Sequence, residues 1–515
     1  MSSTFFGLEL SRRALASQQA ALNITGHNIA NANTQGYTRQ IANLTATTPD
    51  TIPIAGRNLS LGSGVTLDTI TRARDAFVDR QFRGETSKQQ YWAGRQDSLS
   101  KVEGMLNEPS DNSLSNDMNQ FWTAWSDLSK DPENAGARAV VSERAQTLTD
   151  SFHNIAQQVS DMKKNMDATI KVQVHQINIY GQQIKELNDQ IKRAEVAGDN
   201  PNDLRDQRDS LVDDLSKIVS VRVVETKDLT FTDRNVNNYK VFIGNENSVN
   251  DNTLVEDSTV RLLEDPPPQN AEGFSRVVWS GDPTNTDVDL GTKLGTLSAN
   301  IEVRDQYLPK FGTQFDTLAQ GIASAVNALH QTGQGLTAEV TGGINFFTDG
   351  SATPTLDSQG LPVVTAATIT INSVIVLDVN RIATGALKAT VAAGDGTIAQ
   401  GISSLSSGWN ALKSLIAAGK FGVGKNPVPA SSLGDYYGAN VAQMGVDVQQ
   451  TNRMKAGEDV LVTNVTNQRE SLSGVSLDEE MTNLIKYQKS YTAAARMVTM
   501  MDDMLSTIMN MGITK

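Results

Sequence analysis

Residues 477–509 read LDEEMTNLIKYQKSYTAAARMVTMMDDMLSTIM. Leu477, Met481, Leu484, Gln488, Tyr491, Ala495, Val498, Asp502, Leu505 and Met509 alternate steps of four and three, a heptad seam with polar misfits at Gln488 and Asp502. A sustained repeat of about 3.5 residues needs a partner helix to cover its stripe. The other end of the chain offers one. Leu8, Leu15, Leu22 and Ile29 recur at intervals of seven, with Ala14, Ala20, Ala21 and Ile24 beside them. Gly26, Asn31, Asn33 and Gly36 close that helix with turn residues. No proline stands before Pro49 or after Pro429, so nothing interrupts either helix. The two ends are expected to pack together.

Between them lies a second helical layer. Val141, Ala145, Leu148, Phe152, Ile155, Val159, Met162 and Met166 form another 4-3 series, which shifts register near Ile170 and resumes through Ile177, Ile184, Leu187, Ile191 and Ala194. Gly198 to Pro201 stops it, and Asn202 or Asp203 is expected to cap a return helix to about Val219. Leu297, Ile301, Leu308, Phe311, Phe315, Leu318, Ile322, Ala325 and Leu329 give a third series, kinked or restarted by Pro309. The intervening runs at 221–231, 239–243, 259–263 and 274–279 are short and rich in β-branched or aromatic residues, and Val363 to Val379 reads as the clearest strand pair. The expected fold is mainly α with inserted β domains. Its N- and C-terminal helices pair as a coiled coil, a long helical bundle lies outside them, and β-rich matter is outermost. The expected divisions are 1–60 with 455–515 for the axial core, 61–225 with 295–345 and 401–454 for the helical middle, and 226–294 with 346–400 for the β-rich part.

Composition narrows the function classes. Aromatic residues make up 5% and hydrophobic residues 38% of the 515, thin for an α/β enzyme core and better suited to long, narrow assemblies. The net charge of −14 argues against a nucleic-acid partner, which needs clustered Lys and Arg. Cysteine is absent, which excludes disulfides, thiolate nucleophiles and Cys-based metal sites. No run of 18 apolar residues is present to span a membrane, and Arg12 and Arg13 interrupt the N-terminus in a way a secretory signal peptide would not.

No catalytic, cofactor or metal constellation is expected. Gly419 to Lys425 has the spacing of a phosphate-binding loop, but Asn426 stands where Ser or Thr would ligate magnesium, and Pro427 and Pro429 follow. His27, His153, His175 and His330 form no H-x-x-x-H pair. Ser98 and Lys101 lack the motifs that accompany a nucleophilic S-x-x-K. Asp287, Asp289 and Gly291 begin like a calcium loop, but the glycine is misplaced and no Glu closes it.

The stretch from Asn28 through Ala30, Asn31, Asn33, Thr34, Gly36 and Tyr37 to Gln40 resembles the N-terminal motif of the flagellar rod, hook and hook-associated axial proteins. Ser473 to Glu480, with Asp478 and Glu479, and Leu484 to Tyr491, with Gln488, are similar to the matching C-terminal motif. Asn202 to Asp209 and Arg304 to Leu308 are similar to segments of the hook-associated members. The resemblance covers about 1–225, 295–335 and 430–515 and leaves the β insertions unmatched. It implies a structural subunit at the junction of hook and filament, not an enzyme. Such a chain is exported through the flagellar channel without a cleaved signal and assembled outside the cell. Its implied partners are a ring of its own copies, the hook protein, a second junction protein and an export chaperone on the C-terminal helix. Position by position, Leu8, Leu15, Leu22 and Ile29 would face Leu484, Tyr491, Val498 and Leu505, while Asn31, Asn33, Gly36 and Tyr37 would form the bend that ends the inner helix. Another axial protein, or an enzyme or adhesin carried on flagellar-type ends, is the alternative reading.

Overall fold

The computed structural model describes residues 6–54, 57–232, 234–244, 252–337, 343–357, 360–388, 393–406 and 432–511. The loop-like stretch Gly419 to Lys425 lies outside them. The chain opens with α1 (Phe6–Ala30), followed by β1 (Gln40–Ala46), β2 (Asp50–Ile54), β3 (Arg57–Leu61) and β4 (Val65–Arg72). The antiparallel pair β1–β4, bulged between Asn43 and Leu44, encloses the hairpin β2–β3. It lies along the small-residue side of α1, where Ser17 donates to the Val65 carbonyl at 3.1 Å and Ser11, Ala21 and Thr25 are buried.

Four helices follow, α2 (Ala76–Leu106), α3 (Leu114–Lys130), α4 (Ala135–Ala197) and α5 (Asn202–Ile218). Side chains of Asp75, Ser113 and Asn134 accept from backbone N–H groups in the first turns of α2, α3 and α4, satisfying donors that a helix start leaves free. At 63 residues, α4 is a rod roughly 95 Å long. Its buried apolar residues run Val141, Ala145, Leu148, Phe152, Ile155, Val159, Met162 and Met166, then take steps of four to Ile170 and Val174 before a step of three to Ile177. The register shift expected near Ile170 has an architectural meaning. Residues up to Met166 belong to one hydrophobic core and residues from Ile170 belong to another. Extra steps of four rotate the buried stripe around the helix, so a single rod serves two cores facing different ways.

The second core holds the far half of α4, α5 and a four-stranded antiparallel sheet of β5 (Val221–Lys227), β6 (Asn237–Ile243), β7 (Thr253–Glu256) and β8 (Thr259–Val260). Beyond Ile184, α4 buries Asn188, Ile191 and Glu195, whereas Leu187 and Ala194 of the expected series are only half-buried. The polar side chains are buried because they dock the sheet. Asn188 donates to the Asp257 carbonyl at 3.0 Å, and Glu195 accepts from the Asn237 N–H at 2.9 Å. One turn chemistry also differs from expectation. Pro201 occupies the cap position of α5 without a side-chain cap, because Asn202 donates to the Ile70 carbonyl and Asp203 accepts from Gln40. Phe274 to Trp279 forms isolated bridges rather than a strand.

The chain then re-enters the helical layer through α6 (Gly295–Glu302) and α7 (Leu308–His330), joined by a π-helical turn over Val303–Tyr307. Leu308 N–H bonds the Val303 carbonyl, so Pro309, which has no N–H, is accommodated by a widened turn instead of a break. The short pairs β9 (Gly333–Gln334) with β12 (Gly385–Ala386) and β10 (Phe347–Thr348) with β11 (Thr370–Ile371) sit in the first core, together with α8 (Ser373–Leu377) and α9 (Thr397–Ser403). The strand pair expected over Val363 to Val379 is therefore a two-residue strand and a one-turn helix. Asn372 caps that helix by accepting from Val374 N–H, and Val364, Ala366, Ile369, Ile371 and Ile375 turn into the core. The β-bearing pieces at 226–294 and 346–400 thus pack into different cores, one at each end of α4. Two long helices complete the chain, α10 (Leu433–Ser473), alongside α2, and α11 (Leu477–Met511), alongside α1. Between them Gly474 is obligatory, since a Cβ there would stand 2.4 Å from the Glu470 carbonyl oxygen.

His330 ends α7 inside the first core. Its Nε2 accepts from the Ala383 N–H at 2.9 Å, so Nδ1 carries the proton and donates to the Ile344 carbonyl at 2.8 Å. Burial outweighs the bond to Ile344 and pulls its pKa down to about 4. An unfolded chain takes up this proton near pH 6.5, so stability falls as pH drops through the window between the two values. Acidification from pH 7 to 4 is expected to remove about 3 kcal/mol through this group. Urea melts of the wild type and His330→Gln check this, the variant showing the smaller pH dependence.

Candidate assembly site at the joined termini

After Ala30 the backbone turns sharply. Asn31 donates to the His27 carbonyl at 3.0 Å and Thr34 donates to Asn31 Oδ1 at 3.2 Å. Gly36 takes φ +79°, a conformation that costs glycine nothing. The turn brings Tyr37, Thr38, Arg39 and Gln40 back against the end of α1. There Asn28, 1% exposed, makes four hydrogen bonds. Its Oδ1 accepts from Tyr37 Oη at 2.7 Å and from Gln40 N–H at 2.9 Å, and its Nδ2 donates to the Gln40 carbonyl at 2.9 Å and to Glu480 Oε2 at 3.1 Å. With the Tyr37 proton directed at Asn28, His27 Nδ1 is the donor in its 3.0 Å contact with the Tyr37 oxygen. Burial and the carboxylates of Asp203, Asp206 and Glu480 push the Tyr37 hydroxyl well above its ordinary range, which keeps it a donor.

Glu480, 2% exposed, is shared. Arg39 Nε donates to its Oε1 at 2.8 Å, and Arg39 Nη1 donates to Glu479 at 2.7 Å. The Arg39 backbone N–H bonds the Ser473 carbonyl at 2.9 Å. The N-terminal bend is thereby fastened to the joint between α10 and α11, across 452 residues from Asn28 to Glu480. Thr38 N–H bonds Asp206 Oδ2 at 2.9 Å, which adds α5 to the junction.

Behind this junction lies an arginine–aspartate network. Asp209 meets Arg72 at 2.8 Å, Arg74 at 3.0 Å and Arg83 at 3.6 Å. Arg83 also meets Asp213 at 2.7 Å, and Arg469 of α10 meets Asp213 at 2.7 Å and Asp79 at 3.3 Å. Burial alone would raise the Asp209 pKa, but the charges of Arg74, Arg72, Arg83 and Arg208 overcome it and hold the carboxyl far below the usual range. Arg208 stacks on Tyr239 with 3.4 Å to the ring centroid, carrying the network to the sheet of the second core.

Along the helix pair, Leu8, Leu15, Leu22 and Ile29 of α1 are half-buried, as are Leu484, Val498 and Leu505 of α11. Tyr491 is 36% exposed. Gln488 and Asp502 face outward, and the half-buried alternates are Tyr487, Ala494 and Met501, so the apolar repeat reads one residue earlier than the misfits implied. Met501 lies over Gly7, its Cε only 2.5 Å from where a Cβ would be. Ala30, Asn33, Thr34, Asp478 and Glu479 are exposed, and Asp478 and Glu479 stand in the first turn of α11, where the helix dipole favours a carboxylate. Counting apolar steps pointed to neither the Arg39–Glu480 pair nor the network. The signal available was Arg72 and Arg74 on alternate residues and three acids, Asp206, Asp209 and Asp213, along one side of α5. Among the described residues no three His, Asp or Glu side chains group as a metal site, and no helix is long and apolar enough to cross a membrane.

Residues 99–347 match the family model described as the flagellar hook-associated protein FlgK helical domain. Residues 8–38 match the flagella basal body rod protein model, and 467–511 match the flagellar basal body rod FlgEFG protein C-terminal model. The chain is 31% identical to flagellar hook-associated protein 1 of Bacillus subtilis, over 100% of this chain and 99% of that one. It is 27% identical to flagellar hook-associated protein 1 of Escherichia coli, over 96% and 98%. The flagellar hook junction protein FlgK from Burkholderia pseudomallei superposes with a TM-score of 0.58 at 15% identity, covering 76% of this chain and 100% of that one. This last likeness concerns the fold.

Proposed function

The chain belongs to the flagellar hook-associated protein 1 family, and from that membership we propose how it works as the structural subunit joining hook to filament outside the cell. Family membership makes it an assembling axial component. The observation carrying the reading is the closure of both terminal motifs on one another through Asn28, Arg39, Glu479 and Glu480, beside a helix pair that leaves apolar side chains of α11 uncovered. On α11, Leu477, Met481, Ile485, Met497, Met500, Met504 and Ile508 are exposed.

The large apolar residues of α1 stay half-buried in the α1–α11 pair, so the pair gains little from its own contacts and orders fully when neighbours cover it. The seam of Leu8, Leu15, Leu22 and Ile29 with Leu484, Tyr491, Val498 and Leu505 fastens the pair, and the uncovered side of α11 meets the next copy in a ring. The hook protein and a second junction protein contact the ring on its two faces, and an export chaperone shields α11 before assembly. The axial core spans 1–60 with 455–515, the helical middle 61–225 with 295–345 and 401–454, and the β-bearing segments 226–294 and 346–400 lie outward. The chain acts by holding, with no reaction of its own.

Deleting the gene in its native bacterium tests this. Electron microscopy is expected to show bare hooks, with flagellin lost to the medium. Normal filaments on motile cells would remove the assignment.

A further inference from the structure

Sulfur is unevenly placed in this chain. Cysteine is absent, so the 14 methionines carry all of it. Met118, Met162, Met166 and Met444 are buried in the first core. Seven others lie in α11, and of these Met481, Met497, Met500, Met504 and Met509 are exposed by 38% to 68%. Met497, Met500 and Met504 follow at steps of three and four, which stacks them on one side of the helix, with Ile508 continuing the row. That side borders the seam, because Met501, the next residue, is half-buried against Gly7.

Leucine would supply the same apolar surface with better-defined rotamers. A thioether differs in being both adaptable and oxidisable. A hydroperoxide transfers one oxygen to the sulfur. The S–O bond forms as the O–O bond breaks, sulfur loses two electrons, and hydrogen peroxide leaves as water. No metal or further reductant is needed. The product is a polar sulfoxide in place of an apolar group.

We propose that the Met497–Met500–Met504 row is a sulfoxidation site through which hydroperoxides stop this chain from joining a neighbouring copy. The inference rests on the reading that the terminal helices mediate assembly. Three sulfoxides on the row would have to be desolvated at the contact with no partner provided for them, which makes the contact unfavourable. The buried core sulfurs are shielded, so the folded body of the chain survives the same exposure.

The test uses the full-length protein and graded hydrogen peroxide. Peptide mass mapping is expected to show one added oxygen on each α11 methionine before Met118, Met162, Met166 or Met444 reacts. Treated and untreated protein is then added to bare hooks from a deletion strain, and capped hooks are counted. Each protein is scored as the ratio of treated to untreated. The wild-type ratio is expected to fall at least about tenfold and to recover after methionine sulfoxide reductase. The ratio for the triple variant M497L/M500L/M504L is expected to stay within about twofold of one. A wild-type ratio near one with all three sulfoxides confirmed by mass overturns the proposal, as does a triple variant that loses joining as far as the wild type. If neither untreated protein joins hooks, the assembly reading itself falls, and this inference with it.

Discussion

Bacteria carrying Leu15→Asp or Val498→Asp are expected to make hooks without filaments, while secreting the variant chain at wild-type levels. Both residues are half-buried, Leu15 on α1 and Val498 on α11. The nearest arginines on α1, Arg12 and Arg13, are both engaged by Glu9. Desolvating the new carboxylate costs at least about 2 kcal/mol in each copy that assembles. The helix pair starts with little margin, because the large apolar residues of α1 stay half-buried and its most buried positions carry Ser11, Ser17, Ala21, Thr25 and Asn28. Counting filaments per cell, with the secreted chain measured in the medium, separates an assembly defect from an export defect. Normal filament numbers in either variant would refute the pairing.

The second large effect is on folding. Asp209→Ala is expected to lower stability by about 3–5 kcal/mol, the range for removing one partner from a buried ion network. Arg72, Arg74 and Arg83 would all lose this carboxylate. The pH dependence follows from the depressed pKa. The Asp209 contribution is complete above the unfolded value of roughly 4 and is lost as pH falls toward the folded value. The gap between wild type and variant should therefore be constant from pH 8 to 5 and shrink at pH 3. Urea unfolding followed by circular dichroism at these values decides it. An equal gap at pH 7 and pH 3 would show that the carboxylate charge is not what holds the network.

Helical periodicity exposed α1, α4, α7 and α11 because each carries a recurring apolar stripe, whereas α10 buries few apolar residues along its 41 residues and shows no such stripe. Val141 to Met166 could be counted off and the change of register near Ile170 located. What periodicity missed was burial driven by hydrogen bonding. Asn188 and Glu195 are buried where Leu187 and Ala194 are not, since the sheet docks on α4 through polar groups. Gln488 and Asp502 looked like defects of the seam because apolar spacing alone cannot choose between two adjacent registers. Val363 to Val379 looked like strands because β-branched residues also suit an irregular segment, here one that buries Val364, Ile369, Ile371 and Ile375 and leaves Val363, Val374 and Val376 exposed. The junction of Asn28 with Glu480 joins residues that no local pattern relates. Its parts were visible as two motifs, and the bond between them was not.

That junction also sets the path of force. Tension entering along α1 can leave along α11 through Asn28, Arg39 and Glu480, without passing through α4 or either hydrophobic core. The half of α4 in the first core and the β-bearing segments then lie off that path. Their loops and strands are free to lengthen, shorten or change surface chemistry without weakening the coupling between a rotating shaft and the propeller it drives.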